Sequence, residues 1–179
     1  MTTSDEELAK AAAEGDAEAF AILLQRHYDR VFRLAFRMTG RADQAEDLTQ
    51  DICAALPAKI SGFRAQAKFT TWLYRVVVNA AEDARRRQAS HSRAAVGWGD
   101  FEQMRRAEAS ETAEAVDWLQ RAMRSLPQEL QDTLALTLED EMTHAEAAEV
   151  LGVSEGTVSW RMSDIRKRLR ALRQEELAP

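Results

Sequence analysis

The chain has 179 residues, of which 45% are apolar, and only seven glycines and three prolines. This composition suits long helices with few turns, so we predict an all-α fold of one or two small domains. A formal net charge of −6 argues against a uniformly basic nucleic-acid binder, although base dominates at Arg85–Arg87 and again over 161–173. The single cysteine, Cys53, excludes an intramolecular disulfide and a cysteine-based metal site. There is no signal peptide and no apolar run that could span a membrane, so we expect a protein of the reducing cytoplasm.

The first half of the chain predicts helices with clear start and stop signals. A short helix runs from Asp5 to Ala13, and Asp16 can cap a longer one that ends at Gly40. The apolar side of the long helix comprises Phe20, Leu23, Leu24, Tyr28, Val31, Ala35 and Met38. A third helix is expected from about Ala42 to Leu56, with its end at Pro57. Its inward residues are Ala45, Leu48, Ile52 and Leu56, which leaves Asp43, Asp47, Gln50 and Asp51 facing water.

A loop from Lys59 to Lys68 precedes a fourth predicted helix. The core stripe of that helix comprises Phe69, Leu73, Val76, Val77 and Ala80, and its last turn is the cluster Arg85–Arg87. Positive charge at a helix C-terminus complements the macrodipole, which is a purely structural reason for these arginines. Helical periodicity then fails, so we place a first domain at 1–90, a flexible linker at 91–112 and a second domain at 113–179. Trp98 and Phe101 are unusual for a free linker.

The second domain ends in a pattern typical of a helix-turn-helix. Thr143 and Glu146 form a capping box, Gly152 can adopt the left-handed conformation, and Ser154 can cap the next helix. The apolar positions of that last helix are Val158, Met162, Ile165, Leu169 and Leu172, so its other side is free to meet DNA. The candidate base readers are Glu155, Thr157, Ser159 and Trp160, with Ser163 on the same side; the candidate phosphate binders are Arg161, Arg166, Lys167 and Arg170. The alternative is an ordinary helical hairpin with a solvated basic side.

Two sets of motifs together resemble the extracytoplasmic-function sigma factors. The stretch 145–158, AEAAEVLGVSEGTV, is similar to the promoter-reading C-terminal domain of that family. The segments 45–51, AEDLTQD, and 69–76, FTTWLYRV, followed by Asn79 and the arginine cluster, resemble its N-terminal domain. Both sets occur in the order of the family and cover nearly the whole chain.

The resemblance implies a role for each surface. Asp47, Gln50 and Asp51 correspond to residues that bind the clamp coiled coil of the largest RNA polymerase subunit. The segment from Gly62 to Asn79 would recognise and open the minus-ten element. Its candidate DNA contacts are Lys68, Trp72, Tyr74, Arg75 and Asn79, with Arg85 and Arg86, and for Trp72 burial is the stronger interpretation. The C-terminal domain would read the minus-thirty-five element, although Trp160 departs from the small or basic residue that is usual there.

The resemblance also implies a non-enzymatic subunit without a cofactor or metal. Its partners would be core polymerase, double- and single-stranded promoter DNA, and an anti-sigma factor, often in the response to envelope or oxidative stress. The three histidines, His27, His91 and His144, are interpreted as surface or boundary residues. Two other hypotheses remain: a dimeric repressor or activator that binds duplex DNA without polymerase, and an adaptor whose acidic helices bind another protein.

Overall fold

The computed structural model describes residues 3–94, 118, 121–138 and 142–176, and every regular element in these ranges is helical. The helices are α1 (Asp5–Ala13), α2 (Ala17–Thr39), α3 (Ala42–Lys59), α4 (Phe69–Ala94), α5 (Gln128–Thr137), α6 (His144–Leu151) and α7 (Glu155–Glu176). A short 3-10 turn, Ile60–Gly62, follows α3, and residues 121–124 are also helical. The all-α prediction is confirmed. Trp98 and Phe101 lie outside the described residues.

Helices α1 to α4 form the N-terminal module, and their ends carry the caps that the sequence predicts. Asp16 accepts hydrogen bonds from the backbone N–H groups of Glu18 and Ala19, which would otherwise have no partner at the start of α2. Gly40 ends α2 with a φ of 70°, the left-handed conformation that a side chain disfavours. The inward residues predicted for α3 are all buried. The module therefore closes around one core, whose most buried members include Leu34, Ile52, Leu73 and Val77.

Three details of this module differ from the predictions. Tyr28, expected in the core, is 44% exposed, while His27 is 4% exposed. The reason is spacing, because Leu23, His27 and Val31 follow one another at steps of four and form the inner side of α2. Pro57 does not end α3, which continues to Lys59. Although proline lacks an N–H donor, helical hydrogen bonding continues beyond it, because the N–H of Ile60 donates to the carbonyl oxygen of Leu56.

The fourth helix is longer than predicted. It continues beyond the arginine cluster through Ala94, so the first four residues assigned to the linker are helical. The arginines of the cluster consequently lie on the side of a helix and not at its C-terminus.

Helices α5 to α7 form the C-terminal module, which contains the predicted helix-turn-helix. The capping box at Thr143 and Glu146 is present at the start of α6. Gly152 has a φ of 66° at its end, and Ser154 Oγ accepts a hydrogen bond of 3.1 Å from the N–H of Thr157. Ile165, 1% exposed, packs from α7 against α5. The glycine turn and the two caps therefore set the angle between α6 and α7, as predicted.

The two modules pack directly against each other. Helix α6 contacts α4, and α5 contacts α2. Apolar residues of the C-terminal module, among them Leu136, Met142 and Val150, belong to the same buried cluster as the core of the N-terminal module. The sequence left the relative placement of the modules open. In this structure they are docked.

Candidate nucleic-acid interface

The outer side of α7 carries the exposed residues expected of a DNA-reading helix. Trp160 is 64% exposed, which is unusual for so large an apolar side chain. The other exposed candidates on this helix are Glu155, Ser159, Ser163, Arg166, Lys167 and Arg170. Val158 and Ile165, which point the other way, are fully buried. The helix therefore presents one polar and basic side to solvent, while its apolar side anchors it in the module.

Three candidates on α7 are held by neighbouring side chains. Ser159 Oγ lies 3.0 Å from Nδ1 of His144, which ties the two helices of the motif together. The half-buried Thr157 has its hydroxyl 2.8 Å from Ser154 Oγ. Arg161 is also half-buried and donates to Thr133 Oγ1 at 3.3 Å. Arg161 therefore has less of its guanidinium available for a phosphate than the exposed cations further along α7.

The loop between the 3-10 turn and α4 encloses a small cavity. The cavity has a volume of about 180 Å³ and is lined by the loop residues 62–67, by Thr71, Trp72 and Arg75, and by Glu149 of α6. Its wall is stiffened by an aromatic cluster in which Trp72 lies 5.7 Å from Phe63 and 5.6 Å from Phe69, measured between ring centroids. Trp72 is half-buried, so one part of its ring packs in the core and another borders the cavity. An aromatic plane, polar edges and a basic rim are the features that hold an unstacked base.

The minus-ten candidates on α4 fall into two groups. Lys68, just before the helix, and Arg75, Asn79 and Arg86 are exposed, and Arg85 is half-buried. Tyr74 is only 3% exposed and belongs to the core. A direct DNA contact by Tyr74 does not fit this conformation. Because α4 packs against α2 and α3 on one side and α6 on another, it buries adjacent positions that a one-sided helix would expose.

Three of these cations are paired with groups of the C-terminal module. Lys68 Nζ lies 2.6 Å from Glu146 Oε1. Arg75 Nη2 donates to the backbone oxygen of Glu149 at 2.6 Å, and the Glu149 carboxylate is 3.9 Å away.

Both Nη atoms of Arg85 donate hydrogen bonds to the carboxylate of Asp132, at 3.2 and 3.0 Å. The hydrogen bond from Lys68, together with that from the backbone of Thr143, lowers the pKa of Glu146 to about 2. The hydrogen bond to Glu146 in turn raises the pKa of Lys68.

The acidic candidates for polymerase binding lie along α3. Asp47, Gln50 and Asp51 are exposed, and Asp51 Oδ2 is 4.0 Å from Arg87 Nη2. Asp47 and Asp51 line a groove of about 410 Å³, whose lining also includes Gln128 and Gln131 of the C-terminal module. The polymerase-binding candidates therefore adjoin the contact between the modules.

The sequence did not identify several residues that organise this region. The sequence indicated only a capping role for Glu146 and none for Asp132 and Glu149, because their partners on α4 and just before it lie 47 to 78 positions away along the chain. Glu6 of α1 accepts a 3.2 Å hydrogen bond from the N–H of Phe69 and so caps the start of α4. His27 is not a surface residue, because its Nε2 is 2.7 Å from Asp5 Oδ2 and its ring packs against Phe69. No local pattern predicts such contacts.

Neither a metal site nor a membrane span is evident in the part of the chain that the structure describes. No three His, Cys, Asp or Glu side chains in it could hold a metal ion, and none of its helices has the length and apolarity needed to cross a bilayer.

Comparison with known proteins decides the family. The model of sigma-70 region 2 matches residues 23–91, and the model of sigma-70 region 4 matches residues 117–169. SigM of Mycobacterium tuberculosis, an ECF RNA polymerase sigma factor, is 37% identical over 170 residues, covering 94% of this chain and 84% of that protein. This chain belongs to the ECF RNA polymerase sigma factors. A second relative, SigW of Bacillus subtilis, is 27% identical over a match that covers 90% of this chain and 92% of SigW.

Solved structures agree with this assignment. The sigma factor is similar to CnrH, solved in complex with the cytosolic domain of CnrY, with a TM-score of 0.71 and 25% identity over 97% of this chain and 99% of that one. The fold of RpoE from Bartonella quintana, crystallised with the anti-sigma factor NepR, matches with a TM-score of 0.74 and 22% identity over 88% and 98% of the two chains. Sigma factors are initiation factors of transcription and not catalysts. The predicted minus-ten and polymerase-binding residues all lie in the region 2 match, and the minus-thirty-five candidates except Arg170 lie in the region 4 match.

Proposed function

We propose that this sigma factor binds core RNA polymerase and directs it to promoters that its two modules read at two separate elements. The observation that carries the proposal is the pairing, in one chain, of a helix-turn-helix with an exposed reading side and a basic-rimmed cavity on the other module. The first suits duplex DNA and the second suits an unstacked base.

The C-terminal module would read the minus-thirty-five element in the major groove. The N-terminal part of α7 carries Glu155, Ser159 and the exposed Trp160, which would approach base edges. The indole of Trp160 can contact a thymine methyl group, whereas Arg166, Lys167 and Arg170 would bind phosphates further along.

The N-terminal module would open the minus-ten element and hold one strand. A flipped base would enter the cavity beside Trp72, and Lys68 and Arg75 would bind the backbone of the single strand. Asn79 and Arg86 extend this basic surface along α4.

Core polymerase would be bound through Asp47, Gln50 and Asp51, which α3 presents to solvent. The clamp helices of the largest subunit are the expected partner, and the chemistry of RNA synthesis would belong to polymerase, with no catalysis by this chain. Such a subunit acts in the cytoplasm. The two structurally similar proteins were solved with CnrY and with the anti-sigma factor NepR, so we also propose control by an anti-sigma factor.

Transcription in vitro tests the proposal. Purified core polymerase on a genomic template library should yield promoter-dependent RNA only when this chain is added. The same core with no added chain is the baseline, and a complete lack of specific RNA on all templates would reject the function.

A charge reversal on α3 tests the polymerase contact. Asp51→Arg should weaken binding to core polymerase, measured with the labelled chain, because a positive charge would replace a carboxylate in the proposed contact. Asp29→Arg makes the same charge change at an exposed position of α2 and should leave the affinity unchanged. Equal affinities for both variants would contradict the assignment of α3.

A further inference from the structure

The contact between the modules pairs three cations of the proposed minus-ten surface with residues of the C-terminal module. Lys68, which follows the loop of the cavity, is bound by the Glu146 carboxylate, and Arg75, which lines the cavity, is bound by the backbone oxygen of Glu149. Arg85, further along α4, is bound by the carboxylate of Asp132. The groups that would bind DNA phosphates are thus occupied by oxygens of the C-terminal module.

The contact also brings an acidic residue into the wall of the cavity. Glu149 of α6 is one of its lining residues, beside Trp72 and Arg75. A nucleotide entering beside Trp72 would bring its phosphate to the place that Glu149 fills. Carboxylate and carbonyl oxygens accept hydrogen bonds from the same Lys and Arg donors as phosphate oxygens, and a carboxylate repels a phosphate, so the acidic residues compete with DNA for these donors.

We infer that the C-terminal module inhibits the minus-ten surface of its own chain, with Asp132, Glu146 and Glu149 standing where the single strand of the promoter would bind. This inference rests on the proposed function of that surface. It assigns a role to the acidic side of α5 and α6 that is separate from DNA reading by α7.

The other two surfaces remain available in the docked state. The polar side of α7, with Trp160, and the acidic side of α3, with Asp47 and Asp51, are exposed. Polymerase can therefore be bound before the modules separate.

The groove beside Asp47 and Asp51 is also lined by Gln128 and Gln131 of α5, so a partner that fills the groove would compete with α5 for space. Binding of polymerase would in this way favour the open state, since a ligand shifts an equilibrium toward the state that it binds better.

The docked state is tested with the full chain by small-angle X-ray scattering. For a compact chain of this length the radius of gyration is about 16 Å. The double variant Glu146→Gln/Glu149→Lys should increase it, because it removes the ion pairs of Lys68 and Arg75 with these carboxylates and places a lysine against Arg75. Glutamine at 146 retains the capping box of α6, so the fold of the module is kept. Adding Arg75→Glu to this variant should restore the compact value.

Binding of single-stranded DNA gives the second measurement. The probe is a fluorescent mixed-sequence oligonucleotide, and binding is followed by anisotropy without polymerase. Each exposed ion pair raises the ratio of docked to open chains by about 1.4-fold to fivefold. Because the double variant loses two such pairs, it should bind the probe about twofold to 25-fold more tightly. The control variant Glu14→Lys/Glu18→Gln changes the net charge by the same amount at exposed positions of the N-terminal module. The DNA affinity of the double variant must increase more than that of this control.

The inference is overturned if the wild-type chain and the double variant have the same radius of gyration, or if the control gains as much DNA affinity as the double variant. Transcription with core polymerase separates this failure from a failure of the proposed function. If the chain initiates transcription but the wild type and the double variant have the same radius of gyration, only the inhibition is refuted. If the wild type is more compact than the double variant but never initiates transcription, only the proposed function is refuted.

Discussion

Replacing Arg85 by alanine should destabilise the protein more than replacing its partner Asp132. The Asp132 side chain is 8% exposed and that of Arg85 is 28% exposed. Without Arg85, the Asp132 carboxylate stays buried with one remaining side-chain donor, Gln128 Nε2 at 3.0 Å. Without Asp132, the longer arginine can turn its head toward water. Removing Arg85 and removing Asp132 should therefore lower the free energy of unfolding by different amounts.

The magnitudes follow from burial. Removing one partner of a fully buried ion pair costs about 3–5 kcal/mol, and the partial exposure of Arg85 with the remaining Gln128 bond reduces this to about 2–3 kcal/mol for Arg85→Ala. For Asp132→Ala the charge-assisted hydrogen bonds are lost but Arg85 is rehydrated, so the cost is about 1.5 kcal/mol, the lower end of the range for hydrogen bonds to charged groups. The variant that combines Arg85→Ala and Asp132→Ala should lose less stability than the sum of the two single losses, because it leaves no unpaired buried carboxylate.

Urea unfolding of the wild type, both single variants and the double variant provides the assay. Arg86→Ala is the matched control, since Arg86 is exposed and its partner Asp83 lies on the same helix. If Arg85→Ala and Asp132→Ala both change the free energy of unfolding by less than about 0.5 kcal/mol, as expected for a solvated pair, the reasoning is refuted. Asp132 would then be hydrated in solution and the modules would not be docked.

Three further outcomes are expected. Arg161→Ala should weaken promoter binding similarly across sequences and make the salt dependence shallower, whereas a sequence-selective loss in competition assays would assign Arg161 to base reading. Gly152→Ala should lower stability in thermal unfolding by about 1–2 kcal/mol through the backbone alone, because no atom lies within 4 Å of an added Cβ; a much larger loss would indicate a steric cause. Since the pKa of Glu146 is about 2 in the folded chain, against an ordinary value of 4.5, its stabilisation is complete above pH 4.5 and is lost as the pH falls toward 2. Glu146→Gln should therefore reduce the difference between urea midpoints at pH 6 and pH 3, and an unchanged difference would contradict this.

The local features of the fold could be predicted because their causes are local. Asp16, Gly40 and Thr143 act on backbone groups within a few residues, so the sequence contains both partners of each contact. The same holds for the turn at Gly152. The exposed acidic side of α3 followed equally from the period of its buried residues.

The contacts that the sequence did not reveal join distant parts of the chain. His27 is buried because Asp5 and Phe69 meet it, and neither partner can be recognised from the apolar pattern of α2. Tyr74 is buried because α4 is packed on more than one side. Asp132 of α5 and Glu149 of α6 are paired with Arg85 and Arg75 of α4, which no pattern within their own helices indicates.

The most direct test of the account is a footprint of the initiation complex on one promoter. Core polymerase with this chain should make thymines near the start site reactive to permanganate, the sign of an open strand, and should protect a separate upstream stretch of duplex. Trp72→Ala should reduce the first signal, and Trp160→Ala the second. Strong protection by the chain without polymerase, or a footprint with no opened strand, would contradict the claim that the two modules act together on one promoter.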